Sequence, residues 1–212
     1  MRRQTRGEEI ANSTLHGIGA VLSIAALVIL VVFASRTGDD WRVASLSIYG
    51  MALIVLYLSS TFYHSLVNIR IKRFFKILDH CSIYFLIAGT YTPVVLVTLR
   101  GPWGWTLFGL IWTMAIVGII FKFISLKKYK FISVVSYIVM GWLVVIALKP
   151  LIENSPEGFF KWLLIGGLSY TIGIIFYAWK KLPYHHAVWH LFVLGGSFSH
   201  FFGFLFYIAQ HG

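Results

Sequence analysis

Seven long stretches without a charged residue are the feature that most limits how this chain can fold. No Asp, Glu, Lys or Arg occurs within 10–35, 43–69, 80–99, 101–121, 131–148, 162–179 or 182–212. Each stretch is close to or above the roughly 18–20 residues that a membrane-spanning helix needs. Only 12% of all residues are charged, whereas about a quarter are charged in a soluble domain. The sequence therefore predicts an integral membrane protein.

The composition of the stretches favours helices over barrel strands. They are rich in Leu, Ile, Val and Phe and lack the strict alternation of apolar and polar residues that barrel strands show. We expect an all-α membrane protein, a seven-helix transmembrane bundle in which residues 1–212 form a single domain. Pro93 predicts a kink in the third span, with Thr90 or Thr92 available to satisfy the freed carbonyls. The predicted spans are 14–35, 43–64, 78–99, 103–121, 131–148, 162–179 and 186–209.

The loops predict the orientation of the chain in the membrane. With seven spans the two termini lie on opposite sides, and thirteen of the 18 Lys and Arg residues fall on the N-terminal side. The positive-inside rule then predicts a cytoplasmic N-terminus and an extracytoplasmic C-terminus. Orientation and attraction to anionic headgroups account for the net charge of +11. No nucleic-acid partner is expected.

Two histidines, His186 and His190, stand at the start of the last stretch. Residues four apart lie on the same face of a helix, so these imidazoles are expected to face one point. Imidazole nitrogen is a common ligand for zinc and related metals. The spacing alone is weak support for a site, because a histidine at the end of a span often lies simply at the headgroup level.

The predicted topology brings two more polar residues to the same depth. His64 closes the second span and Asp79 opens the third, both at the end where His186 and His190 begin the seventh. Ionisable groups are costly inside a membrane and usually mark function. A carboxylate there needs a cation, a metal or a water-filled cavity, and Lys76 is close enough in sequence to offer one alternative partner. We predict a metal site formed by the three histidines, with Asp79 beside it.

The other histidines have simpler interpretations. His16, His80 and His185 lie near predicted span ends, and we expect them at the membrane interface. His200 falls in the middle of the last span and His211 at the tail.

The predicted site suggests a reaction. Three histidines holding Zn²⁺ leave one coordination position open, which is the catalytic rather than the structural pattern. Zinc lowers the pKa of bound water to about 7, and Asp79 is the candidate general base for that water. Ser60, one helical turn before His64, is the candidate to polarise a substrate carbonyl or stabilise an oxyanion. Apolar helices would admit an acyl chain, so we predict hydrolysis of an amide or ester in a membrane lipid or fatty acyl substrate.

Several of these residues stand in ordered motifs. The motifs are Glu9-x-x-Asn12-x-x-x-His16, Ser60-x-x-x-His64, Leu78-Asp79-His80, and His186-Ala-Val-Trp-His190. Together they resemble the haemolysin III family of bacterial membrane proteins, the prokaryotic branch of the progestin and adipoQ receptors that also include the adiponectin receptors. The resemblance covers nearly the whole chain.

The resemblance implies seven helices, a cytoplasmic N-terminus and a zinc ion near the inner leaflet of a bacterial plasma membrane. It implies that Asp79 holds the zinc-bound water and that Ser60 is the serine of the family motif. For the first motif it leaves an N-terminal cap or an inner gate as candidate roles. His200 lies roughly 15 Å of helix beyond His190, too far for direct ligation. The implied zinc ligands are His64, His186 and His190.

Three functions fit this resemblance. Eukaryotic relatives look like ceramide-cleaving amidases, which favours a zinc-dependent lipid hydrolase with a role in membrane homeostasis. The family name implies a pore-forming haemolysin, in which polar groups would line a continuous path across the membrane. The third function is a membrane sensor in which the zinc is structural.

Overall fold

The computed structural model describes residues 4–126, 128 and 130–210. Within that part of the chain, seven helical segments are long and apolar enough to cross a membrane. The predicted fold class, an all-α bundle of seven spans, is confirmed. Four residues used in the sequence predictions lie outside the described residues, namely Arg2, Arg3, Lys127 and His211.

The helix bounds follow the predicted spans with longer ends. Short π-helical turns, Val94–Thr98 and Leu205–Ala209, extend α3 and α8, and the 3₁₀ turn Leu143–Ala147 joins α5 to α6 in the fifth span. The helices are α1 Arg6–Ser35, α2 Asp40–Ser65, α3 Ile69–Pro93, α4 Pro102–Ile124, α5 Lys130–Gly141, α6 Leu148–Asn154, α7 Phe159–Ala178 and α8 His185–Phe204.

The first helix begins well before its predicted start at residue 14. Thr5 caps it, because the Thr5 hydroxyl accepts the backbone N–H of Glu8 at 3.2 Å and the Glu8 carboxylate accepts that of Thr5 at 2.7 Å. This reciprocal capping box satisfies two N–H groups that a helix start otherwise leaves without partners. As a result, Glu9 and Asn12 lie on an ordered helix rather than on a polar tail.

Pro93 changes the type of helix in the third span. It is the last α-helical residue, and the backbone continues as the π-helical turn. The Thr90 and Thr92 hydroxyls each donate to the carbonyl oxygen four residues earlier, on Leu86 and Ala88, at 2.8 Å. The predicted interruption is therefore present. The carbonyl oxygen of Gly89 loses its helical N–H partner at Pro93, but the two threonine hydroxyls bond to other carbonyls.

Helix α2 lies at the centre of the packing. It packs against both α1 and α3, while α8 packs against α7 and α1, so α1 contacts both α2 and α8. The buried face of α2 carries Leu46, Tyr49, Leu53, Leu56 and Tyr57. The start of α1 contacts the C-terminal end of α2 through Glu9 and His64, and it contacts the residue before α8, Tyr184, through Glu8.

Glycine allows α4 to approach the end of the third span. A Cβ atom at Gly104 would overlap the backbone carbonyl oxygens of Val95 and Leu99, whereas one at Gly109 would meet nothing within 4 Å. Backbone atoms cannot rotate away as a flexible side chain can, so only the first position requires glycine.

We expect Gly104→Ala to lower the free energy of unfolding by about 1–3 kcal/mol, because the added methyl group overpacks a backbone contact. Thermal unfolding of the purified protein in detergent measures the effect. Gly109→Ala is the matched control, and it should be neutral or slightly stabilising because alanine favours helix. Equal melting temperatures for the two variants would contradict the packing argument.

Candidate metal centre

Three histidines from two helices converge at one end of the bundle. Their candidate ligand nitrogens all lie within 4.8 Å of one another. The ring centroids of His64 are 5.2 Å from His186 and 5.3 Å from His190, and those of His186 and His190 are 4.5 Å apart. The structure therefore brings together the three residues that the sequence selected, in an arrangement that can hold a metal ion.

Local structure positions the two histidines of the cluster that lie on α8. His186 and His190 occupy the first two turns of α8 with the i, i+4 spacing that aligns side chains. The residue before the helix, Tyr184, has a positive φ of 54°, a conformation that is uncommon for residues other than glycine. Its backbone N–H donates to the Glu8 carboxylate at 3.1 Å. The first turn of α1 thus stabilises the backbone at Tyr184, the residue from which α8 starts.

Two nitrogens of the cluster have no hydrogen-bond partner among the described residues. His64 and His190 are only 3% and 2% exposed, and within the described part of the chain His64 Nε2 and His190 Nδ1 make no hydrogen bond. A buried polar atom without a partner costs about 1–3 kcal/mol. Coordination to a metal would satisfy both atoms, and imidazole suits zinc, copper, iron and nickel. The donor set therefore fits a metal ion.

Asp79 faces the same cavity as two of the three histidines, His186 and His190. It lines a cavity of about 50 Å³ together with His16, His186 and His190. Its Oδ2 atom lies 3.2 Å from Nδ1 of His80. Lys76, the alternative partner considered from the sequence, instead has its Nζ atom 5.7 Å from the ring centroid of Tyr63.

Ser60 is fully buried on α2, one turn before His64. Its Oγ atom has no hydrogen-bond partner among the described residues. The neighbouring Ser59 differs, since its hydroxyl donates to the Leu56 carbonyl and also lies 3.3 Å from that of Ser82. Ser60 thus has a hydroxyl that is not engaged by the helix backbone around it.

His16 was expected at the membrane interface, and this expectation is wrong. The side chain is 3% exposed, and its ring stacks on that of His190 with centroids 3.6 Å apart and an angle of 11° between the planes. Asn12, one turn earlier, has its Nδ2 atom 3.5 Å from His64 Nδ1. The spacing of Glu9, Asn12 and His16 along one helical face was the available signal, but it does not specify which helix that face meets.

Lys122 also belongs to the surroundings of the site, which the sequence did not reveal. It is 2% exposed and lines the 50 Å³ cavity with Asp79. Its Nζ atom lies 5.9 Å from the ring centroid of Tyr137. The predicted span ended at residue 121, but α4 continues to Ile124 and carries the lysine inside the bundle.

A larger apolar cavity of about 120 Å³ adjoins the site. Leu56, Trp189 and Val193 are among the residues that line both cavities. His200 lines only the larger one, and its Nε2 atom lies 3.3 Å from the Leu163 carbonyl oxygen. His200 is not part of the three-histidine group found in the described chain, in line with the expectation that it is too distant to be a ligand.

These features define a class: a multi-pass helical membrane protein with a histidine cluster, two of its three members buried, at one end of its bundle. Residues 4–201 match the family model described as haemolysin-III related. The chain belongs to the haemolysin III family, as its motifs indicated.

Curated relatives agree with this assignment. The chain is 53% identical over 201 residues to Hemolysin-3 of Bacillus cereus, covering 95% of this chain and 92% of the relative. It is 50% identical over 203 residues to the Hemolysin-3 homolog of Bacillus subtilis (strain 168), covering 96% and 95%. The human Monocyte to macrophage differentiation factor is 31% identical over 201 residues, covering 92% and 82%. The chain is thus a multi-pass bacterial membrane protein with similarity to a eukaryotic one.

We expect the purified protein to bind about one divalent transition-metal ion per chain, as a site with three histidine ligands does. Each variant that removes one ligand should lose the metal, because two imidazole ligands do not hold it as three do. These variants are His64→Ala, His186→Ala and His190→Ala. Elemental mass spectrometry of protein at known concentration measures the stoichiometry. His200 is also a buried histidine of α8, and the control variant His200→Ala should retain the metal. Retention in any of the three cluster variants would remove that histidine from the ligand set.

Proposed function

We propose that the protein is a zinc-dependent hydrolase of a lipid amide or ester, with a role in membrane homeostasis. One observation carries the proposal. Three imidazoles converge, those of His64 and His190 buried and that of His186 partly buried, and the two of α8 line a cavity that a carboxylate, Asp79, also lines. Three histidine ligands leave a fourth position open on tetrahedral zinc, as catalytic sites require.

The residues around the cluster have distinct roles in this proposal. Zinc held by the three histidines would supply the Lewis acidity that activates water near neutral pH. Asp79 lies in the same cavity, where its carboxylate accepts a proton from the attacking water and acts as general base. Nδ1 of His80 lies 3.2 Å from that carboxylate. Ser60, with its unengaged hydroxyl, donates a hydrogen bond to the oxyanion of the substrate carbonyl.

The neighbouring cavity supports a lipid as the substrate. Its volume of about 120 Å³ is lined mainly by apolar and aromatic side chains, and it shares Leu56, Trp189 and Val193 with the cavity at the histidines. An acyl chain in the larger cavity would bring an amide or ester carbonyl towards the smaller one. Burial of such a chain is favourable by about 0.8 kcal/mol for each CH₂ group.

The proposed place of reaction follows from charge and position. The cluster lies at the end of the bundle where α1 begins. The excess of basic residues on that side favours a cytoplasmic location by the positive-inside rule. We therefore place the reaction in the inner leaflet of the plasma membrane, where lipid substrates reach the site from the bilayer.

We expect purified, zinc-loaded protein to hydrolyse a ceramide-like amide or a lipid ester, and Asp79→Asn to reduce kcat by about 10²–10⁴-fold while the bound zinc is retained. Asparagine has nearly the same shape as aspartate but cannot accept the proton. Release of fatty acid, measured by mass spectrometry, follows the reaction. The control is Asp40→Asn at the opposite end of α2, which should leave turnover unchanged.

The absence of turnover in wild-type protein over a range of zinc concentrations, amides and esters would overturn the hydrolase proposal. Bound zinc in wild type, combined with an Asp79→Asn variant that changes thermal stability alone, would instead support a sensor with a structural metal.

A pore-forming activity is the second candidate, and the name of the Bacillus cereus relative favours it. On this hypothesis the protein makes liposomes leak a trapped dye, and the leak does not depend on the metal. His190→Ala should then leak at the wild-type rate. A leak that is absent, or that disappears with the metal, would count against an independent pore.

A further inference from the structure

The first helix contributes a carboxylate to the histidine cluster. Glu9 Oε2 lies 2.7 Å from Nδ1 of His64. The other carboxylate oxygen, Oε1, accepts a hydrogen bond from Nζ of Lys72 at 2.9 Å. One glutamate thus connects α1 to the last turn of α2 and to the first turn of α3.

The contact determines which nitrogen of His64 carries the hydrogen. An ionised carboxylate can only accept hydrogen bonds, and the Lys72 ammonium favours the ionised form. His64 Nδ1 must therefore donate to Glu9, which leaves the lone pair on Nε2. Nε2 is the buried nitrogen for which the described residues provide no partner. The tautomer set by Glu9 is the one in which Nε2 can bind a metal.

Asn12 does not compete for this position. Its Nδ2 atom is 3.5 Å from His64 Nδ1, much farther than the Glu9 oxygen, and it also donates to Gln4 Oε1 at 3.2 Å. Lys72 is itself placed by a second contact, because its Nζ atom lies 5.3 Å from the ring centroid of Tyr63. The short contact to His64 therefore belongs to Glu9, and the lysine that holds Glu9 also contacts an aromatic ring.

We propose that Glu9, held by Lys72, is a positioning residue that fixes the tautomer and the ring orientation of His64 for metal binding. The inference rests on the metal site of the proposed function. A carboxylate bonded to the distal nitrogen of a histidine ligand also makes the ligand more basic, and removing such a partner typically weakens metal binding 10–100-fold. In this proposal Glu9 acts through His64 and is not itself a ligand.

The test is the zinc affinity of purified full-length protein, measured by competition with a chelator of known affinity. We expect Glu9→Ala to weaken zinc binding about 10–100-fold. Glu9→Gln should recover much of this loss, because its amide oxygen still accepts the hydrogen of Nδ1. Lys72→Met should fall between wild type and Glu9→Ala, since the carboxylate remains but loses its cation.

Two controls separate positioning from a general effect on the fold. Glu153→Ala removes an exposed carboxylate, 3.9 Å from Lys149, at a distance from the cluster and should not alter zinc affinity. The melting temperature of the metal-free protein shows whether Glu9→Ala disturbs the fold itself. In cobalt-loaded protein, Glu9→Ala should also change the visible ligand-field spectrum, because the His64 ring is no longer held in one orientation.

Unchanged zinc affinity in Glu9→Ala, or equal losses in Glu9→Ala and Glu9→Gln, would overturn the positioning role while the hydrolase proposal stood. Wild-type protein that binds no zinc would overturn both. Weakened binding in Glu9→Ala with partial recovery in Glu9→Gln would support the inference even if no lipid were hydrolysed.

Discussion

The cost of leaving polar groups unsatisfied in an apolar bundle governs the structure. Each polar side chain inside the spans must find a partner within the protein, because a membrane interior offers none. Most do so locally, as the Thr90 and Thr92 hydroxyls do with backbone carbonyls. His64 Nε2 and His190 Nδ1 remain without a partner in the described chain although they are buried. Both atoms belong to one cluster of three histidines, and satisfying them is the physical reason to expect a metal ion there.

Helix α1 organises the histidine cluster from outside its ligand set. Glu8 holds the backbone at Tyr184, from which α8 starts, and Glu9 accepts the hydrogen of His64 at the end of α2. The first turn of α1 thus contacts both α2 and the residue before α8, which carry the cluster. The ring of His16, farther along α1, stacks on that of His190. The motif Glu9-x-x-Asn12-x-x-x-His16, which had no assigned physical role, forms the face of α1 that meets the cluster.

Much of the candidate site was accessible from the sequence, because depth along a span can be counted in residues. His64, Asp79, His186 and His190 were placed at one end of the bundle, and the structure brings all four to that end. Counting residues does not give the direction in which a helix face points. His16 was therefore taken for an interfacial residue and Lys122 for a loop residue, whereas both are buried beside the cavity.

The seven spans, the all-α class and the residue types at each depth follow from the amino-acid sequence, because the spacing of charges and the length of apolar stretches depend on the chain alone. Which side chains share the cluster depends on how the helices pack. In the folded protein Lys76 lies near Tyr63, Asp79 lines the cavity, and Glu9 contacts His64. Those choices depend on the rotation of each helix against its neighbours. Side-chain packing across several helices sets that rotation, and no single stretch of sequence contains it.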